Sequence, residues 1–280
     1  MLSHIYIFFC FHSVMNAQYD DGMKFRSIFV SDIHLGIRFA RADRLLDFMK
    51  HHESENLYLV GDIIDGWAMK RKFRWEQSHS DVIQKILRKA RKGTNVYFVT
   101  GNHDEFLRPF VPLVLGDRLH IMNETEYLSI DGKRYYVTHG DFFDSVTMTK
   151  KWIAVLGDVG YDALLHLNAV INFVRKKLGV RHYWSLSKHV KDKVKSSVSF
   201  ITDFETILAT YAKRKGYDGV ICGHIHKAEI KRIDGVEYKN SGDWVESCTA
   251  LVETMEGEWL IIDWLNDTLK ESEEITVQAA

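Results

Sequence analysis

The chain has 280 residues, 46% of them hydrophobic and 27% charged, and a formal net charge of −1. That length and apolar content fill a sizeable core without disulfide staples, and they exclude a disordered or collagen-like chain. Charge near neutrality argues against a dedicated nucleic-acid binder, and no apolar run reaches the ~18 residues that a membrane-spanning helix needs.

Residues 1–23 are set apart as an N-terminal extension. Their apolar run, Ile5 to Phe11, suits the core of an export signal, an over-extended start ahead of Met23, or an extra strand. From Lys24 the pattern becomes regular, and 24–265 read as one domain. Phe25–Ser31, Leu57–Val60 and Val96–Thr100 are apolar strands, each ending in polar residues. Between them, Ala42–His52 and Ser80–Lys92 carry apolar residues at helical spacing. Strands alternating with helices, and apolar on both faces, predict a parallel α/β core. Glu126–Ile130 and Lys133–Thr138 flank Asp131-Gly132, and Glu229–Ile233 and Val236–Asn240 flank Asp234-Gly235, both hairpin signals. Gly219–Cys222, Thr249–Glu253 and Trp259–Trp264 complete the strands. Between Phe142 and Lys215 no strand signal appears, so a helical insertion is expected over about 145–198, with a helix at Ser199–Lys215 returning to the core. Residues 266–280 form a polar tail. Three scattered cysteines, Cys10, Cys222 and Cys248, make no disulfide framework and fit a reducing, cytoplasmic setting.

Polar clusters recur at the carboxyl ends of these strands: Asp32-Ile-His34, Gly61-Asp62, Gly101-Asn102-His103-Asp104, His139-Gly140-Asp141 and Gly223-His224-Ile-His226. In open α/β sheets, sites lie outside those ends, so the five clusters are expected to converge. In Asp-x-His and His-x-His, residues two apart lie on one side of an extended segment and can reach one cation. Asp62 stands alone and suits a bridge between two cations. Carboxylate, imidazole and amide donors together suit manganese, iron or zinc rather than calcium.

In that order the motifs SDIHLG, GDIIDGW, GNHDEF, THGD and CGHIH resemble the calcineurin-like metallophosphoesterase superfamily over roughly Lys24 to Trp264. The resemblance implies a sandwich of two mixed β-sheets flanked by helices, with a dinuclear metal site at its edge. It implies two divalent ions, manganese foremost. Asp32, His34 and His226 would hold the first, Asn102, His139 and His224 the second, and Asp62 would bridge. It also places His103 against the substrate as a catalytic group. Asp104 is expected to orient His103 through a carboxylate–imidazole hydrogen bond, with Asp65 and Asp141 as further supports.

Within the superfamily the chain is similar to the UDP-2,3-diacylglucosamine diphosphatase branch of lipid A synthesis. Gly66 stands where protein phosphatases carry Arg, an insertion separates THGD from GHIH, and KNSGDWVESCTALVE follows the last motif. Residues Arg181, Lys191, Lys193 and Lys195 of the basic insertion are expected to bind substrate, and the same basic face suits a peripheral contact with an anionic inner membrane. The aromatic-basic stretch holding Trp67, Arg71, Phe73, Arg74 and Trp75 suits stacking on a base or a plain rim of the fold. The best-known members of the branch carry Arg at the position of His103. The competing readings are a phosphodiesterase or nuclease of the same superfamily, and a non-catalytic scaffold.

Overall fold

A computed structural model describes residues 24–144 and 201–265. The N-terminal extension, the insertion with Arg181, Lys191, Lys193 and Lys195, and the polar tail lie outside the described residues.

Among the described residues, twelve strands form two sheets. The first holds β1 (Lys24–Val30), β2 (Glu53–Val60), β3 (Asn95–Val99), β4 (Leu113–Leu115), β5 (Leu119–Met122), β11 (Thr249–Glu253) and β12 (Trp259–Asp263), in the order β12-β11-β1-β2-β3-β5-β4. The second holds β6 (Glu124–Leu128), β7 (Arg134–Thr138), β8 (Gly219–Cys222), β9 (Glu229–Ile233) and β10 (Val236–Asn240), in the order β6-β7-β8-β10-β9. Strands β1, β2, β3 and β5 are parallel, as are β7, β8 and β10, and antiparallel strands close the edges. The two sheets are therefore mixed, in agreement with the expected sandwich.

The two-residue period of a strand sorts the core into layers. Ile28, Val30, Leu57 and Leu59 pack outward against Leu45, Phe48 and Met49 of α1 (Ala42–His51) and Val82 and Ile86 of α3 (Gln77–Arg91). Their neighbours Phe29, Tyr58 and Val60 face inward and meet Tyr127, Tyr135 and Ile221 of the second sheet. On the far side, Val220, Val236 and Tyr238 are covered by Phe204, Leu208 and Ala212 of a helix over 201–214. Burying each such side chain contributes roughly 1.5–3 kcal/mol.

The elements depart from expectation in four places. Strands β4 and β5 and the short helix α2 (Gly66–Arg71) carry no clear sequence signal, being three, four and six residues long. The hairpin at Asp234-Gly235 is a true two-residue turn with both residues at positive φ, 49° and 88°. At Asp131-Gly132 only the glycine is left-handed, and residues 129–133 form a longer loop, because Ser129 and Lys133 still pair across its base.

Candidate metal centre

The parallel register of β1 and β2 continues past the strand ends. Asp32 N donates to Gly61 O, His34 N to Asp62 O and Leu35 N to Ile63 O, at 3.0, 2.9 and 2.9 Å. This pairing carries Asp32 and His34 alongside Asp62. The side-by-side placement of Asp32 and His34 does not come from extended backbone, as expected from the spacing. Asp32, His34, Asp62, His224 and His226 all take left-handed φ angles between 51° and 71°. Such residues are unfavourable for L side chains and persist where surrounding structure imposes them. The alternation survives: Ile33 between the two polar residues is fully buried in the core.

The five clusters converge. Donor atoms of Asp32, His34 and His226 lie within 4.8 Å of one another, as do those of His34, Asp62 and His103, and those of Asp62, His139 and His224. His34 belongs to the first two groups and Asp62 to the last two, so the three sets form one continuous cluster. Asp62 Oδ2 sits 3.2 Å from His139 Nε2 and 3.9 Å from both His34 Nε2 and His103 Nε2. His226 Nε2 approaches Asp32 Oδ1 at 3.1 Å. Two glycines make room: a Cβ at Gly101 would strike Asp62 Oδ1, and one at Gly223 would strike Asp32 Oδ2.

The orientation of the imidazoles is fixed from behind. His139 Nδ1 bonds Val60 O at 2.9 Å, and His224 Nε2 bonds Asp144 Oδ1 at 2.8 Å. Asp65 serves two rings at once, 3.2 Å from His34 Nδ1 and 2.9 Å from His103 Nδ1, while its other bond caps α2 at Ala68 N. Asp104 does not orient His103. Its fully buried carboxylate accepts the backbone N–H groups of Ile63, Ile64 and Gly101. It braces the Asp62 loop instead, because its bonds run to backbone about 40 residues upstream. Asp141 accepts from Arg108 Nη2 at 2.7 Å and so ties the loop after His139 to the turn after His103. Asp144 stood outside every sequence motif; its signal is its place five residues after His139. Trp67 lies on the His103 ring with centroids 4.4 Å apart and anchors its indole N–H on Glu105, whereas Trp75 bonds Ser80 away from the centre. Phe73 is exposed.

The electrostatics follow from this packing. Burial opposes charge on Asp62, but the adjacent His139 imidazole outweighs it and holds the carboxyl far below its usual range. Asp65 is likewise held low, with burial opposed by bonds from His103 and His34. Burial disfavours the His139 cation, yet Asp62 and Asp32 push its pKa up to about 10. His103 and His226 rise against burial through Asp65 and Asp32 respectively. Asp104 is pushed up to about 6 by burial and by the charge on Asp62.

These residues fit a pair of divalent cations. Asp32 Oδ1, His34 Nε2 and Asn102 Oδ1 are buried and make no hydrogen bond of acceptable geometry. Buried polar atoms normally have partners, and a cation held here would supply them. Carboxylates poised negative beside imidazoles that must give up protons describe a site where cation entry releases protons.

Residues 25–228 match the calcineurin-like phosphoesterase family. A UDP-2,3-diacylglucosamine hydrolase of Porphyromonas gingivalis is 31% identical over 127 residues, covering 42% of this chain and 47% of that protein. The chain thus spans about half the length of that relative. A protein of the same name from Haemophilus influenzae is 23% identical over 240 residues, covering 81% and 94%. Among solved structures, an archaeal phosphodiesterase superposes with a TM-score of 0.42 at 15% identity, covering 84% of this chain and 98% of that one. Among the described residues, no helix is long and apolar enough to cross a membrane. With more than two thirds of its length matched and all five motifs gathered at the carboxyl ends of strands from both sheets, the chain belongs to the calcineurin-like phosphoesterase family of metal-dependent phosphoester hydrolases.

Proposed function

We propose that the protein hydrolyses the pyrophosphate of a nucleotide-linked acylated glucosamine, releasing the nucleoside monophosphate and leaving a lipid monophosphate. The observation that carries the hydrolase reading is the continuous cluster from His226 through His34 and Asp62 to His224. Asp32, His34 and His226 would hold one cation, Asn102, His139 and His224 the other, with Asp62 between them. The mixed oxygen and nitrogen donors suit manganese, iron or zinc, and manganese is the ion proposed. When bound, such a pair supplies charge for the phosphoryl oxygens and a nucleophilic water at neutral pH.

The chain's own residues do the rest. Asp65 holds His103 by Nδ1, which leaves Nε2 facing the cluster. A proton on that nitrogen can pass to the oxygen that leaves phosphorus, or stabilise charge on the phosphoryl group; such transfer is worth roughly 10²–10⁴-fold. The two diacylglucosamine hydrolases by name support the lipid-nucleotide substrate. Arg181, Lys191, Lys193 and Lys195 are proposed as contacts to its diphosphate, and the same basic stretch as a peripheral contact with anionic lipid on the cytoplasmic side. His103, where the diphosphatase branch carries Arg, favours a second reading as a phosphodiesterase of other specificity.

A substrate comparison separates the two. The manganese-loaded protein is expected to release UMP from UDP-2,3-diacylglucosamine faster than it cleaves bis-p-nitrophenyl phosphate or 3′,5′-cAMP. Turnover of the simple diesters with no UMP release would replace the first reading with the second.

A further inference from the structure

The segment Asn240-Ser241-Gly242-Asp243-Trp244 follows the last ligand motif and supplies none of the donor atoms grouped above. It lies directly behind them. Asn240 is fully buried at the end of β10, and its side chain is completely engaged. Its Nδ2 donates to Gly223 O at 2.8 Å and also approaches Tyr238 Oη at 3.2 Å, while Oδ1 accepts Gly242 N at 2.9 Å. The Gly242 N–H can only donate and the Gly223 carbonyl can only accept, so the amide is fixed in one orientation.

The carbonyl of Gly223 and the N–H of His224 belong to one planar peptide unit. That N–H donates to Asp32 Oδ2 at 3.0 Å. Asn240 therefore grips one end of a rigid plane whose other end grips a carboxylate. With Oδ2 occupied, Oδ1 is the Asp32 atom left facing His34 and His226, and it is the buried oxygen that makes no hydrogen bond of acceptable geometry. The plane also precedes His224, whose φ of 71° needs an imposed conformation. Neighbouring bonds reinforce the arrangement: Trp244 N donates to Asp32 O at 3.0 Å, and Ser241 Oγ and Ser31 Oγ lie 2.8 Å apart.

We infer that Asn240 is a positioning residue for the cation site of Asp32, His34 and His226, acting through the Gly223–His224 peptide to select the ligating oxygen of Asp32. The inference rests on the metal-site reading above. Partners of this kind typically set 10–100-fold in metal affinity.

The test compares Asn240→Asp, which keeps shape but turns an oxygen toward the Gly223 carbonyl, with wild type in Mn²⁺ calorimetry and in the visible spectrum of the Co²⁺ form. Wild type is expected to bind two ions. N240D is expected to bind one of them at least tenfold more weakly and to show an altered Co²⁺ spectrum, with the second ion changed less than threefold. Tyr238→Phe, which spares the Gly223 contact, is expected to match wild type. Should N240D fail to fold by circular dichroism, Asn240→Ala carries the same expectation. A folded variant lacking this amide that binds both ions with wild-type affinity overturns the role of Asn240 alone. A wild-type protein that binds no Mn²⁺ overturns the metal-site reading, and this inference with it.

Discussion

Two of the buried clusters of charged side chains in this sandwich are built on opposite principles. At the edge of the sheets, Asp32, His34, Asp62 and their partners sit on left-handed backbone, with polar atoms left over. Between the sheets, Lys239 is equally buried, yet every group around it is matched. Its ammonium bonds Tyr135 Oη at 3.1 Å and Glu237, and lies 4.5 and 4.6 Å from the ring centres of Tyr135 and Trp259. Glu237 in turn meets Lys133 at 2.9 Å, and β10 stays a regular strand throughout. A charge cluster that closes on itself ties two sheets together. One that leaves donors open on strained backbone is prepared for something to enter. Burial alone therefore does not mark the functional cluster; several open polar atoms brought together on left-handed backbone do.

The steepest loss is expected in the metal-centre cluster. Asp62→Ala removes the carboxylate shared by two donor groups. Hydrolysis is expected to fall by roughly a thousandfold or more, about 4 kcal/mol of transition-state stabilisation, while circular dichroism and the melting profile stay close to wild type. A variant that keeps a tenth of the activity would remove Asp62 from the centre. His103→Ala comes next, with kcat expected to drop roughly 10²–10⁴-fold and Mn²⁺ stoichiometry unchanged by elemental analysis. Loss of metal in that variant would make His103 a ligand rather than a proton donor.

The sequence carried the coarse plan of the candidate metal centre, missed its internal wiring, and held no sign of the Lys239 cluster. Strands β8 to β11 and helices α1 and α3 are marked by period and by turn residues, and the five ligand motifs by their place after apolar runs. Strands β4 and β5 are too short to show a period. The choice of Asp65 over Asp104 as the partner of His103 could not be read, because both carboxylates stand close in sequence to ligands. The decision is made by backbone N–H groups of Ile63 and Ile64, which claim Asp104 first. Asp144 and Asn240 reach the centre through contacts spanning 80 and 17 residues. Nearness to a motif does not announce which distant atom such a residue bonds. The burial of Lys239 has no local signal, since its cage of Tyr135 and Trp259 comes from two other strands.

The structural side breaks more gently. Lys239→Met leaves Glu237 without its buried counter-charge and is expected to cost about 3 kcal/mol, with the melting temperature down by roughly 6–12 °C. Activity per folded molecule should be untouched; a parallel loss of activity at a temperature where the variant is folded would join the two clusters. The smallest effect is a pH dependence. Burial resists charge on Glu237, but the bonds from Lys239, Tyr135 and Lys133 outweigh it and bring its pKa down to about 2 from an ordinary value of 4.5. A depressed carboxylate contributes stability that is whole above pH 4.5 and disappears as pH falls toward 2. Because the group is partly open to solvent, that contribution is discounted to about 1 kcal/mol or less. Melting curves of wild type and Glu237→Gln should therefore be separated at pH 6 and closer at pH 3, the gap closing only as pH falls through about 2. If the gap is the same at both values, the ionic bonds of Glu237 add nothing, and the rings of Tyr135 and Trp259 alone hold Lys239 between the sheets.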